Sequence, residues 1–327
     1  MKLQSLLILT SVTVLPLSLG ACGDDKDTHG DHGDGDSGGE GGVGNEGDGD
    51  ESIRSVALTF RPQVGDELFA CGETYKDQGS SNIEVTPQDF RFYVSDLRLI
   101  DEEGEEVPVE LDNRSPWQSK TVALLDFEDA SSACKNGNSA MNATVTGKVP
   151  DRNYVGVVFS PAVPLDLNHE DPATLPDPLQ AGGMTWGWLF GYKFLRAELA
   201  ATAAPEQDEV PGVGVFHLGS TGCDNVSPDG EGGAGGVGSA VPNLGAPPTI
   251  ECAQQNRAVI RLEEGFSVND DVIVADIGAM MKTTDLSDSS QCHSGGLFCE
   301  GFFESVGLDF ATGDQLNKQT AFRVEGK

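Results

Sequence analysis

The 327-residue sequence is short of positive charge: 20 Lys and Arg stand against 53 Asp and Glu, for a formal net charge of −33. A chain this acidic cannot neutralise phosphates, which excludes nucleic acid as a partner and disfavours anionic lipid headgroups. Histidine is also scarce, five residues in all. No HExxH or CxxCH is present, so zinc-protease and covalent c-type haem readings lack their motifs. The one GxSxG match, Gly35 to Gly39, sits in an acidic glycine-rich run with no apolar strand before it, which gives a serine hydrolase no support. Carboxylate pairs abound, but in so acidic a chain they do not single out glycosidase chemistry. There is no repeat of fixed period and no long amphipathic helical window. The Gly230-Glu231-Gly232-Gly233 stretch neither follows a strand nor opens a helix, so a dinucleotide site is set aside.

The amino terminus reads as an export signal. Lys2 precedes an apolar run from Leu3 to Leu19, which closes on Leu19-Gly20-Ala21-Cys22. A basic start, a short apolar run and small residues before the cut describe a secretory signal, and the run is under the ~20 residues needed to span a bilayer. The Leu-Gly-Ala-Cys end resembles a bacterial lipobox, so the expectation is a signal over 1–21 and lipid on Cys22. Gly23 carries no inner-membrane retention signal. The expected location is the periplasm or cell surface, lipid-anchored in the outer membrane, with the lipid as the only membrane contact. Gly23 to Glu51 holds eleven acidic residues and one lysine among many glycines. Such sequence cannot bury enough apolar surface to offset its ordering entropy, so 22–52 is expected to be a disordered acidic tether. His29 and His32 lie in it as solvated residues, and Asp34-Gly35-Asp36 lacks the spacing of a calcium loop.

Six further cysteines remain: Cys71, Cys134, Cys223, Cys252, Cys292 and Cys299. An even number in an exported chain points to three disulfides, with fifteen pairings open. Nearest-neighbour pairing is the simplest, and its first bridge would contribute about 4 kcal/mol in the chain-entropy model. From Ser55 onward apolar residues recur with period two: Val56-Leu58-Phe60, then Tyr93-Ser95-Leu97-Leu99 opposite Phe92 and Val94, then Val155-Val157-Phe159, Ala258-Ile260-Leu262 and Val272-Ile273-Val274. Turn signals fall between, at 101–105, 136–138, 150–151 and 161–164. The fold class is therefore all-β, a disulfide-stabilised sandwich or barrel-like domain over 53–327 with long irregular loops. Residues 226–248 read as a glycine-rich surface loop, and Phe302 to Leu308 as a short helix.

The domain's histidines are His169, His217 and His293, the last read as a loop residue. Trp186 and Trp188 lie two apart, on one side of a strand. One reading is an aromatic core patch with hydrogen-bonded histidines. The other is a soft metal site: with the thiolates consumed, imidazoles and the Met184 thioether are the donors left, a set suited to copper. An enzyme using His169, Asp171 and His217 as acid–base groups is a third, weaker reading.

Long segments carry a resemblance. Val163 to Thr174, Met184 to Trp188, Gly191 to Arg196, Phe216 to Cys223, Trp117-Gln118 with Val122 to Glu128, and Gln291-Cys292, Cys299 and Leu308 to Phe310 together resemble the MbnP family, the "metallo-mystery pair system four-Cys motif" proteins related to methanotroph copper proteins. The resemblance runs from Ile53 to Val324. It implies a non-enzymatic copper-binding protein of β-sandwich type, serving copper acquisition or homeostasis. It also implies a di-haem partner similar to MauG and cytochrome c peroxidases, which oxidises a tryptophan to kynurenine. Opening the indole exposes an aromatic amine as a nitrogen ligand. On that reading His169, His217 and Met184 hold the metal, and Trp188 or Trp186, rather than Trp117, is modified. The family name counts four cysteines against six here, which marks the Cys223–Cys252 loop as the addition. A metal-free surface module with an aromatic ligand patch is the alternative.

Overall fold

A computed structural model describes residues 51–135, 137–201, 213–225, 243, 245–263, 265–287, 290–296 and 298–327. The expected signal, Cys22, the tether up to residue 50 and most of the glycine-rich loop lie outside the described residues. In chain order the first strands are β1 (Ile53–Val64), β2 (Glu67–Leu68), β3 (Tyr75–Gln78), β4 (Ile83–Asp101), β5 (Glu106–Pro108), β6 (Glu110–Leu111), β7 (Val122–Asp126), β8 (Thr144–Pro150) and β9 (Tyr154–Ser160). The rest are β10 (Thr185–Gly187), β11 (Gly191–Tyr192), β12 (Leu195–Ala201), β13 (Val213–Leu218), β14 (Ile260–Leu262), β15 (Asp271–Asp276), β16 (Ser290–His293) and β17 (Phe322–Gly326), with short helices α1 (Ile277–Met281) and α2 (Glu300–Ser305). No described helix is long and apolar enough to cross a membrane.

Two sheets form the body. One runs β17-β15-β1-β8-β6, and the other runs β14-β9-β4-β12-β13-β16 with β3, β5 and β7 also on β4. Period-two patterning puts Val56, Leu58 and Phe60 of β1 inward, all buried, while Ala57 and Thr59 face out. Phe60 and Phe322 of the first sheet meet Phe92 and Phe159 of the second edge-on, at centroid distances of 5.3–5.9 Å. Each such ring pair adds roughly 0.5–1.5 kcal/mol to the burial itself. The all-β, disulfide-stabilised class expected from the sequence is what the chain adopts. The bridges are Cys71–Cys134, Cys223–Cys252 and Cys292–Cys299, the nearest-neighbour set.

The long strand β4 departs from its expected alternation. Its pairing with β9 gains one residue between Ser95 and Arg98, where Asp96 takes φ 51°. A one-residue bulge exchanges the faces of everything beyond it. Leu99 pairs with Val157, which shares a face with Phe159, so Leu97 and Leu99 join Phe92 on the sandwich side and leave Tyr93 and Ser95 on the other. That second face is buried too, because the excursion 161–194 between β9 and β12 folds over it. Tyr192 stands edge-on to Tyr93 at 5.8 Å, and Asn168 accepts from the Tyr192 amide.

Candidate metal centre

The face under the excursion carries a row of polar residues aligned by strand register. Asp126 on β7 pairs with Arg91 on β4, Arg91 with Arg196 on β12, Arg196 with His217 on β13, and His217 with His293 on β16. Paired residues project from the same side of a sheet, so all five belong to one stripe across five strands. Burying such a stripe demands partners. Asp89 supplies them at one end, taking both Arg91 (2.6 Å) and Arg196 (3.2 Å). The guanidiniums then donate to the Gly182 and Gly183 carbonyls, at 3.0 and 3.2 Å. These bonds hold the backbone just ahead of the β10–β11 hairpin, which carries Trp186 and Trp188.

The stripe ends in two histidines whose Nδ1 atoms lie 3.0 Å apart. His217 is only 3% exposed, and its Nε2 lies 2.7 Å from Glu198 Oε1. Burial raises the Glu198 carboxyl, but hydrogen bonds from His217 and Arg196 outweigh it and leave the group down at about 2. An ionised carboxylate only accepts, so His217 Nε2 carries a proton. Burial pulls His217 down to about 4 against the pull of Glu198. The ring is therefore neutral at pH 7 and its Nδ1 is a bare lone pair. His293 is lowered as well, by burial and by the charge of Lys193. Without metal, His293 Nδ1–H donates to His217 Nδ1; with its proton on Nε2 instead, both Nδ1 lone pairs face one point. Imidazole–metal bonds run roughly 2 Å, so this pair spans a single first-row ion. A carboxylate fixing the far nitrogen is the usual outer support of a metal-binding histidine.

Trp186 closes the site. Its ring centroid is 6.0 Å from that of His217, and Lys193 Nζ sits 5.8 Å over the indole. Gly219, two residues past His217, admits the ring: a Cβ there would come within 2.4 Å of Trp186 Cζ3. Trp186 and Trp188 are both half-buried. Trp117 lies elsewhere, lining a cavity of about 330 Å3 with Arg91 and Asp126.

The remaining candidates sit apart from the histidine pair. His169 Nδ1–H donates to the Trp188 carbonyl at 3.0 Å, and its Nε2 lies 3.2 Å from Cys252 Sγ. Met184 is fully buried in the hydrophobic core, where its thioether packs as an apolar group. Asp171 accepts from the Ala173 amide in the loop after His169. His293 is not a loop residue: it closes β16, and the parallel β13–β16 pairing brings it to His217 across 76 positions. The sequence signal for it was its place next to Cys292. That cysteine's bridge to Cys299 ties β16 to the start of α2.

The family model of MbnP matches residues 53–294. The chain belongs to the MbnP family. Among solved structures it is similar to MbnP from Methylosinus trichosporium, at 26% identity and a TM-score of 0.67, over 84% of this chain and 99% of that one. No curated protein matches it significantly. Membership gives an MbnP-type chain the coarse reading of a copper-associated protein.

At the other end of the stripe, burial pushes Asp126 up to about 7, with the charge of Arg91 opposing and that of Glu128 assisting. A carboxyl raised from 3.8 stabilises the fold fully below that value and loses the contribution as pH rises through 7. Asp126→Asn keeps an acceptor for the Glu128 amide and removes this loss. The variant is expected to gain on wild type between pH 5 and 8 by on the order of 1–3 kcal/mol. Denaturant unfolding of both proteins at the two pH values checks it; parallel curves would contradict the assignment.

Proposed function

We propose that this protein binds copper at His217 and His293 beside an oxidised Trp186, as a non-enzymatic lipoprotein of copper acquisition or homeostasis. The observation that carries the reading is the pair of Nδ1 atoms 3.0 Å apart, with His217 locked in one tautomer by Glu198 and the Trp186 ring alongside. Neutral imidazoles suit copper, and an aromatic amine would add a third nitrogen. The residues present fit the ion: two Nδ1 atoms that both offer lone pairs once His293 carries its proton on Nε2, one carboxylate fixing a far nitrogen, and a half-buried indole. Bound copper would supply a soft, redox-active centre.

In this reading the indole is opened by a peroxide-charged di-haem partner of the MauG or cytochrome c peroxidase type. Two equivalents of hydrogen peroxide take the four electrons and leave as two waters, two oxygen atoms add across the C2–C3 bond as it breaks, and one further water hydrolyses the formyl group to formate. The amine left on the ring is kynurenine. Trp186 is favoured over Trp188 because its ring, and not only its backbone, stands against a histidine. His293 thereby takes the place expected for His169. The lipid on Cys22 and the acidic tether would let the centre reach its partner from the outer membrane, facing either the periplasm or the cell surface.

Peptide mass spectrometry on native protein, with copper quantified on the same sample, tests this. The expected result is the kynurenine mass on the peptide carrying Trp186, unmodified Trp117, and one bound copper. Three intact tryptophans and no copper uptake would favour the metal-free binding module instead.

A further inference from the structure

The geometry around Cys252 points to a second, redox-gated metal site: we propose that reducing the Cys223–Cys252 disulfide opens a His169–Cys223–Cys252 ligand set for a soft ion such as zinc(II) or copper(I). A ring nitrogen of His169 and the two sulfurs all lie within 4.8 Å of one another, with His169 Nε2 at 3.2 Å from Cys252 Sγ. As a disulfide the sulfurs are poor donors. As thiolates they are strong ones, at about 2.3 Å from a zinc-like ion, with imidazole at about 2 Å. On reduction the two sulfurs part from bonding distance to roughly 3.8 Å to take tetrahedral positions about such an ion, while the His169 nitrogen already stands 3.2 Å from one of them.

Two features prepare the site. The His169 proton is committed, since Nδ1–H donates to the Trp188 carbonyl, so Nε2 is the acceptor on the side of the sulfur. A hydrogen bond from the far nitrogen is what orients a histidine ligand. The Asn168 side-chain amide donates to that Nε2 at 3.0 Å, so a bound ion takes the lone pair over from Asn168, which keeps its bond to Ser220. Most telling, the two cysteines stay neighbours without their covalent bond. Thr221 and Gln254 exchange backbone hydrogen bonds on one side of the bridge, and Asp224 accepts from the Thr249 and Ile250 amides on the other.

The step balances as a thiol–disulfide exchange with a dithiol reductant. One reductant thiolate attacks the half-buried Cys252 sulfur, the S–S bond breaks, and Cys223 leaves as a thiolate and takes a proton. The second reductant thiolate attacks its own mixed-disulfide sulfur, releasing Cys252. Two electrons have passed to the protein, and the reductant ends as a disulfide. Metal binding then displaces the two thiol protons to solvent. Cys292–Cys299 is fully buried on both sides, and among the described residues Cys71–Cys134 has no histidine nitrogen at its sulfurs.

The test uses the folded chain reduced anaerobically with limiting dithiothreitol, with alkylation mapping to show which bridge has opened. It is then titrated with zinc(II) alone against a chromophoric chelator, beside the oxidised chain. The reduced protein should take up one more equivalent than the oxidised protein. His169→Ala should weaken that extra site by about tenfold or more. Cys223→Ser with Cys252→Ser should abolish it. Equal stoichiometry in both redox states would overturn the proposal, as would an extra equivalent that survives the serine pair. So would an extra site indifferent to His169→Ala, because a merely unfolded, reduced chain would bind through thiolates without that ring.

Discussion

Replacing His217 by Ala is expected to lower copper affinity on the order of 100-fold or more, and His293→Ala to do nearly as much. Loss of a supporting outer-shell group alone costs about 10–100-fold, and each of these changes removes a nitrogen of the pair itself. Glu198→Gln should fall within that outer-shell range. Its amide cannot take the His217 Nε2–H as strongly as a carboxylate held down at about 2, so the ring loses both basicity and a fixed tautomer. His169→Ala should leave the oxidised protein's copper affinity within a few-fold, because the ring's nitrogens are committed to Trp188, Asn168 and the Cys252 sulfur. Competition titration of copper(I) against a chromophoric chelator ranks the four variants. If His169→Ala releases copper while His217→Ala retains it, the centre lies at the other histidine and the assignment is wrong.

Removing the Cys71–Cys134 bridge, by serine at both positions, should cost about 4 kcal/mol in the chain-entropy account. The sequence separation of 63 makes it the longest of the three loops, which is why its loss should exceed that of the seven-residue span between Cys292 and Cys299. Cys134 is fully buried and packs in the main hydrophobic cluster, with Cys71 against its edge. The bridge thus ties the turn after β2 to the connection between β7 and β8. For a domain of this size the expected fall in melting temperature is roughly 7 °C. Paired melts followed by far- and near-UV circular dichroism measure it. A shift of no more than a degree or two would mean that the denatured chain keeps these segments together without the bond.

Much of the fold was legible because a strand with one face buried must alternate. Val56, Leu58 and Phe60 announced the inward face of β1, and the short helix read from Phe302 onward is α2, placed two residues early at Glu300. Nearest-neighbour pairing of the cysteines, the simplest of the fifteen open to the sequence, is the one the fold adopts. The alternation of β4 was misread beyond Ser95. A bulge costs one residue, and its sequence mark here is only an exposed Asp96 able to take positive φ.

What the sequence by itself determined is the all-β class, the number of disulfides, the family and the segment that holds the tryptophans, because these rest on local periodicity, counting and contiguous motif. What only the tertiary structure decided is which histidines meet. His217 and His293 become neighbours through a parallel pairing of β13 with the edge strand β16, and a parallel pair asks only for a long crossover, whose sequence does not mark the register. The row from Asp126 to His293 draws one residue from each of five strands, so no window of sequence contains it. The register of the sheet assembles it, and burial with the Glu198 hydrogen bond then keeps His217 neutral, its Nδ1 lone pair turned toward His293.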